Sequence, residues 1–272
     1  MRFAEVPAEA GFVVTLSNDT SVATVTLNRP ERRNPQSPVT WVWLARIGHD
    51  LPGSVRVLVL EGEGSSFSSG MDRAMFSAEG LPGVPNMFEF ARMGSAESDT
   101  AIAGFQEAFA VFARPDVVSV ALIQGHAIGA GFQLALACDL RLAAEDAHFR
   151  MAEVTLGLVP DLGGTRRLVE LVGYSRAAEI CLTGQQFGAS AAERMGLVNK
   201  VVPAEDLRSA GNALVSQILT LPRTAVTETK ALLLRASGRS QEAQERAERQ
   251  AQYRQLRELA GLEAEDEAEC TG

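Results

Sequence analysis

Residues 117–139 read VVSVALIQGHAIGAGFQLALACD. An apolar, β-branched run through Ile123 has the length of a buried strand. It passes through Gly125, Gly129 and Gly131 straight into a second apolar run, Ala130 to Cys138, which fits a helix. A strand feeding a helix through a glycine turn is the repeating unit of an α/β fold, and the same alternation extends in both directions. Downstream, DLRLAA from Asp139 reads as another strand. Upstream, a helix-like stretch from Ile102 to Phe112 precedes the run. Before that, VRVLVLEG from Val55 follows an amphipathic segment at Val39 to Leu51. FVVTL (12–16) and VATVTL (22–27), separated by Ser17-Asn18-Asp19-Thr20, read as an antiparallel hairpin. After Val202 the strands stop, and helical patterns occupy Glu205–Leu219, Ala225–Ala236 and Gln241–Leu259. Met75 to Thr100 shows no period and carries Gly80, Pro82, Gly83, Pro85 and Gly94, so it is expected to be a long substrate-shaping loop. The chain thus divides into a core over residues 1–202, a helical region over 203–260 and an acidic tail over 261–272, expected to be disordered.

The chain of 272 residues is 46% apolar, enough for a substantial core. Its opening lacks the basic start and apolar centre of a signal peptide, and no stretch could span a bilayer, so a cytoplasmic protein without membrane contact is expected. Cys138, Cys181 and Cys270 are widely spaced and form no CxxC pair, which suggests neither disulfides nor a zinc site. His49, His126 and His148 lack metal-ligand spacing, and no metal is expected. A net charge of -9 without a basic stripe disfavours nucleic acid as a partner. An anionic ligand would need local cations, and NRPERRN, with Arg29, Arg32 and Arg33, is the densest early cluster; composition alone is met equally by a solvated loop with surface arginines.

Glycine turns that open a helix expose its first N–H groups and the positive end of its dipole. A dinucleotide fold would want GxGxxG, but the third glycine is missing here and the turn lies mid-chain. The other use is to hold a thioester oxygen as it becomes an enolate, which requires two converging N–H donors. A second glycine turn does occur after VRVLVL, in EGEGSSFSSGMD, where Gly70-Met71 could present the other donor. Each turn alone reads first as a tight connection needing positive φ; only the two together point to the pair of donors.

Five motifs taken in order, NRPERRN, FSSGMD, GHAIGAGFQLALACD, FRMAEVTLGLVPDLGGTRRL and LTGQQFGASAAERMGLVNKVV, resemble the signature of the crotonase (enoyl-CoA hydratase/isomerase) superfamily over about residues 12–202. The resemblance implies an α/β spiral of ββα units with a C-terminal helical trimerisation region, a homotrimer or dimer of trimers, and an acyl-CoA thioester substrate. No separate cofactor is implied, because coenzyme A enters as part of the substrate. By motif position, the backbone N–H groups of Met71 and Ala130 would form the oxyanion hole. Phe67, Ser68, Ser69, Gly70, Asp72 and Gly129 would line the substrate path, with Arg29 and Arg32 near the CoA phosphates. Glu153 would be the acid–base residue.

Hydratases of this family carry a second glutamate where Gln133 stands. Hydration needs one group to activate water and a source of the α-proton, and an amide can orient water but cannot exchange a proton at neutral pH. Moving a double bond needs one base, and Glu153 in its apolar setting would serve. Asp161 matches an acid that dienoyl-CoA isomerases use, and it equally reads as the N-cap of a helix beginning near Leu162. Isomerisation on an enolate is the leading expectation, with Glu153, Asp161 and Gln133 as the catalytic candidates. Hydration is the alternative within the class, and a non-catalytic acyl-CoA-binding subunit the alternative outside it. Lys230 is expected on a solvated helix face, or else near a neighbouring subunit's CoA phosphate.

Overall fold

The computed structural model describes residues 6–262, so the expected acidic tail lies outside the described residues except for Gly261 and Leu262. Strands β1 (Phe12–Leu16) and β2 (Val22–Leu27) form the expected hairpin, with Phe12 opposite Leu27 and Leu16 opposite Ala23. The chain then makes a short strand β3 (Pro35–Gln36) and helix α1 (Pro38–Asp50). That helix starts sharply, because Ser37 and Thr40 cap each other and Pro38 occupies the first turn. Next come β4 (Val57–Gly62), β5 (Gly70–Met71), α2 (Met87–Phe90) and α3 (Ser95–Ala110). The third pass is β6 (Val118–Ile123), β7 (His126–Ile128) and α4 (Ala130–Ala137). The fourth is β8 (Leu140–Ala144), β9 (His148–Arg150), a 3₁₀ turn at Glu153–Leu156 and α5 (Gly164–Thr183), which is interrupted at Gly173. Strand β10 (Phe187–Gly188), α6 (Ala189–Arg194) and β11 (Lys200–Val202) close the core. Helices α7 (Leu207–Leu219), α8 (Arg223–Ala236) and α9 (Gln241–Leu259) follow.

Four times, then, a long strand is followed by a short one and a helical segment. The long strands build a sheet of order β1-β2-β4-β6-β8-β11, parallel beyond the first hairpin. The short strands pair with one another, β3 with β5 and β7 with β9, in parallel, and a bridge between Ser68 and Ala127 joins the two pairs. This is the expected spiral of ββα units. Both faces of the large sheet are covered, as parallel sheets require. Along β4, Leu58 and Leu60 enter the main core with Trp41, Phe67, Phe112, Phe132 and Phe149, while Val57 and Val59 face α7 through Leu207 and Val215. Each of those aromatic side chains is fully buried and contributes roughly 1.5–3 kcal/mol by leaving water.

Two expectations need correction. The segment from Met75 to Thr100 is not a structureless loop. It holds α2, whose start is fixed by a capping box between Asn86 and Glu89, and the first turns of α3, which begins at Ser95. Residues 95–97 are exposed, so no apolar period marks that start. Lys230 is not on a solvated face. It is buried, and its Nζ lies 2.6 Å from Asp139 Oδ2 and donates to the Val117 carbonyl at 2.5 Å. Asp139 sits at the turn between α4 and β8 and also accepts from the Ser119 N–H and Oγ, so this pair fastens α8 to the sheet. A cavity of about 620 Å3 lies beside it, walled by Leu136, Val226, Leu233 and neighbours. None of Glu153, Gln133, Asp161, Met71 or Ala130 is in that wall. Cys138 and Cys181 are free thiols. Among the described residues no helix is long and apolar enough to cross a membrane, and no three His, Cys, Asp or Glu side chains are placed to share a metal ion.

Candidate active site

The two glycine turns, about 60 residues apart in sequence, lie side by side. Three backbone bonds join them: Phe67 N–H to the Gln124 carbonyl at 2.8 Å, Ser68 N–H to His126 at 2.8 Å, and Ile128 N–H to Ser68 at 3.0 Å. Gly70 is pressed onto the other turn. A Cβ there would sit 2.4 Å from the Ile128 carbonyl oxygen and 3.4 Å from the Ala130 nitrogen, and its φ of +84° suits only glycine. The Gly70-Met71 backbone is therefore next to the Ala130 N–H, which as the first of α4 has no carbonyl one turn earlier in its own helix.

A buried polar scaffold holds the first turn in place. Asn34 donates to the carbonyls of Glu63 (2.9 Å) and Ser66 (2.8 Å) while accepting from the Arg29 N–H at 2.8 Å. Gln36 donates to Ser68 Oγ at 3.0 Å and accepts from Trp41 Nε1 at 2.9 Å. Ser68 Oγ in turn donates to the Asn34 carbonyl and accepts from the Gly70 N–H. Motif reading passed over Asn34 and Gln36. Asn34 carried one usable signal, as an asparagine closing a charged loop, and its φ of +53° is a conformation in which asparagine is enriched.

Several residues expected along the substrate path belong to this scaffold. Phe67 is fully buried in the main core. Asp72 is also fully buried: its Oδ1 accepts from Arg32 Nη2 at 2.7 Å and from the Ala74 N–H at 3.0 Å, and Arg29 stands 3.8 Å from Oδ2. Arg29 also donates to the Glu9 carbonyl, so its guanidinium is turned inward. The side chain of Arg32 is half exposed and that of Arg29 is not, which leaves Arg32 the more accessible cation of the pair. Ser69 is partly exposed, its Oγ 3.4 Å from the Arg32 carbonyl.

Glu153 opens the 3₁₀ turn after β9, and its carboxylate lies against the second glycine turn. A Cβ on Gly129, where φ is +52°, would meet Glu153 Oε1 at 3.3 Å and Oε2 at 3.8 Å. Oε1 accepts from Gln133 Nε2 at 2.7 Å, whereas Oε2 is buried with no hydrogen-bond partner. Burial raises the Glu153 carboxyl above its ordinary value, and the nearby Asp161 charge adds to the rise. Its own backbone N–H and the Gln133 amide pull the other way. A carboxylate held up by desolvation beside the open first N–H of a helix has the makings of a proton carrier.

Asp161 is also raised by burial. It is not the helix cap that its sequence suggests: α5 begins at Gly164, its N-cap is Gly163, and no side chain of its own segment caps it. The cap comes from α4 instead, because Gln133 Oε1 accepts from the N–H of Leu162 at 3.0 Å and of Gly164 at 3.3 Å. The loop is further held by Gln106 of α3, which donates to the Asp161 carbonyl at 2.6 Å.

A family model described as enoyl-CoA hydratase/isomerase matches residues 17–264. A protein of Mycobacterium bovis named as a probable enoyl-CoA hydratase is 38% identical over 219 residues, 78% of this chain and 73% of that protein. The peroxisomal Delta(3,5)-Delta(2,4)-dienoyl-CoA isomerase of Arabidopsis thaliana is 32% identical over 227 residues, 82% of this chain and 81% of its own. The crystal structure of a Thermobifida fusca YX protein described as "a putative enoyl-CoA hydratase", in complex with CoA, superposes with a TM-score of 0.89 at 46% identity, covering 96% of this chain and 98% of that one. With the ββα spiral, the paired glycine turns and this match over nearly the whole described chain, the protein belongs to the enoyl-CoA hydratase/isomerase family.

Proposed function

We propose that the protein binds an unsaturated acyl-CoA thioester and moves its double bond by proton transfer through an enolate. Ionised Glu153 takes a proton from C2 of a 3-enoyl-CoA. The C–H electron pair flows toward the thioester, and the resulting dienolate oxygen is held by the N–H groups of Met71 and Ala130. Protonated Glu153 then returns a proton at C4, which leaves the conjugated 2-enoyl-CoA. Coenzyme A is part of the substrate, and the reaction uses no cofactor. The half-exposed guanidinium of Arg32, held by Asp72, would meet a CoA phosphate. The relatives crystallised with CoA and with acetoacetyl-CoA support the substrate class.

One observation favours isomerisation over hydration. The oxygen of Gln133, the acceptor with which a side chain could orient an attacking water, already receives two backbone N–H groups, and Glu153 has no carboxylate hydrogen-bonded to it. Hydration remains a second reading, supported by the relatives named as hydratases and by Asp161, whose charge is felt at Glu153. A homotrimer or dimer of trimers is part of the proposal, supported by the exposed apolar side chains Leu156, Val159, Tyr174 and Leu182.

The test is to follow conversion of a 3-enoyl-CoA to its 2-enoyl isomer alongside loss of crotonyl-CoA absorbance. Isomerisation without comparable hydration supports the reading. Hydration at ordinary enzyme rates, abolished by Glu153→Ala and not by Asp161→Ala, would replace it with the hydratase. Binding of acyl-CoA with turnover of no enoyl or dienoyl thioester would leave a binding subunit.

A further inference from the structure

The carboxamide of Gln133 is buried between two groups remote in sequence, the Glu153 carboxyl and the start of α5. Its orientation is forced. The Leu162 and Gly164 N–H groups can only donate, so they must face the amide oxygen; the amide nitrogen is then left facing Glu153 Oε1. A flipped amide would set its NH2 against two N–H groups and its oxygen against a carboxylate. Hydrogen bonds arranged in series polarise one another in one direction, here from the positive end of α5, through the amide, to the carboxylate.

We propose that Gln133 is a positioning residue: it fixes Glu153 by Oε1 and carries the positive end of α5 onto that carboxylate, so that Oε2 is the oxygen that takes and returns the proton. A residue that served only to cap α5 would need only its oxygen. The nitrogen contact at 2.7 Å, together with an Oε2 that has no partner, goes beyond capping. The charged groups bearing on Glu153 are few. Asp161 lies on the loop before α5, and Cys181 on α5 is close enough for the Glu153 charge to raise its thiol. The Asp161 charge opposes ionisation of Glu153, the raised thiol of Cys181 is neutral and adds no charge, and Gln133 is the side chain that favours ionisation. The inference rests on Glu153 being the acid–base group, as proposed above, but its geometry can be tested without any reaction.

The test uses Gln133→Met and Gln133→Leu in the full chain. Both lose the donor to Glu153 without adding a charge beside it, and Met keeps the length of the glutamine with a weak sulfur acceptor toward the Leu162 and Gly164 N–H groups, so it also covers the case in which Leu fails to fold. The Glu153 carboxyl is titrated directly by carbon-13 NMR, with its signal assigned by Glu153→Gln, and kcat/KM for 3-enoyl-CoA isomerisation is measured against pH. The Glu153 midpoint is expected to move up by about one pH unit in either variant, a tenfold gain in proton affinity. The acid limb of kcat/KM should follow it. An unmoved Glu153 midpoint in a folded variant overturns the inference. A moved midpoint in a protein that isomerises no enoyl-CoA upholds it and rejects the proposed reaction instead.

Discussion

Glu153→Gln should raise stability and remove activity at once. Glu153 ionises where its Oε2 meets no donor and burial disfavours charge, so at neutral pH the folded protein carries a cost that the unfolded chain lacks. The amide is nearly isosteric and neutral, and it can still accept from Gln133 Nε2. Relief of the buried charge is worth about 1–3 kcal/mol; the amide NH2 that replaces Oε2 is itself without an acceptor and a charged hydrogen bond becomes a neutral one, which together return part of that and leave a net gain of about 1 kcal/mol. For a chain of this size that is a Tm higher by roughly 2–4 °C. The sign of the pH dependence follows from the raised carboxyl. Its stabilising contribution is complete below the ordinary value near 4.5 and is lost as pH rises through the folded value. The variant should therefore lead wild type at pH 8, and the gap should close as the pH falls toward 4.5. Over the same range isomerase kcat/KM should fall by about 10²–10⁴, the usual worth of a general acid–base group. Differential scanning calorimetry and initial rates on one preparation measure both. A variant less stable than wild type at pH 8, or one that keeps its activity, would refute the reasoning.

Lys230→Met should cost about 3–5 kcal/mol in urea unfolding, because it leaves the Asp139 carboxylate without its cation and the Val117 carbonyl without its donor; a loss under 1 kcal/mol would mean that α8 is held by apolar packing alone. Gly70→Ala should abolish turnover while the Glu153 titration stays in place, since the added methyl would displace the Ile128 carbonyl and with it the donors of Met71 and Ala130. Normal kcat in that variant would remove those two N–H groups from the mechanism.

How much of this could be read in the sequence depended on the distance over which each feature is set. Helices α7 to α9 were legible to within a few residues because their amphipathic period is local. The short strands β3, β5, β7, β9 and β10 were not, since two or three residues cannot show a period and they exist only through pairing with one another. The start of α2 did carry a local sign, Asn86 followed three residues later by Glu89, hidden among glycines and prolines. At the site, the two glycine turns and Glu153 stood out as motifs. The link from Gln133 to Leu162 and Gly164 spans about thirty residues and has no local signature, so the sequence offers Asp161 as a cap as readily as an acid, while Gln133 fills the cap role in the fold. Lys230 was misplaced for the same reason: its partner Asp139 lies far away in sequence, and a lysine on a helix gives no hint that it is buried.

The central claim is that Glu153 alone moves a proton along the acyl chain. Incubating a 3-enoyl-CoA in water enriched in oxygen-18 with wild type and with Glu153→Ala, reading the conjugated 2-enoyl thioester by its ultraviolet absorbance and weighing the chromatographed products by mass spectrometry, tests it most directly. Wild type should yield a 2-enoyl-CoA without oxygen-18, and the variant should leave the substrate unchanged. A 3-hydroxyacyl-CoA carrying oxygen-18 as the main product, or full conversion by the variant, would contradict it.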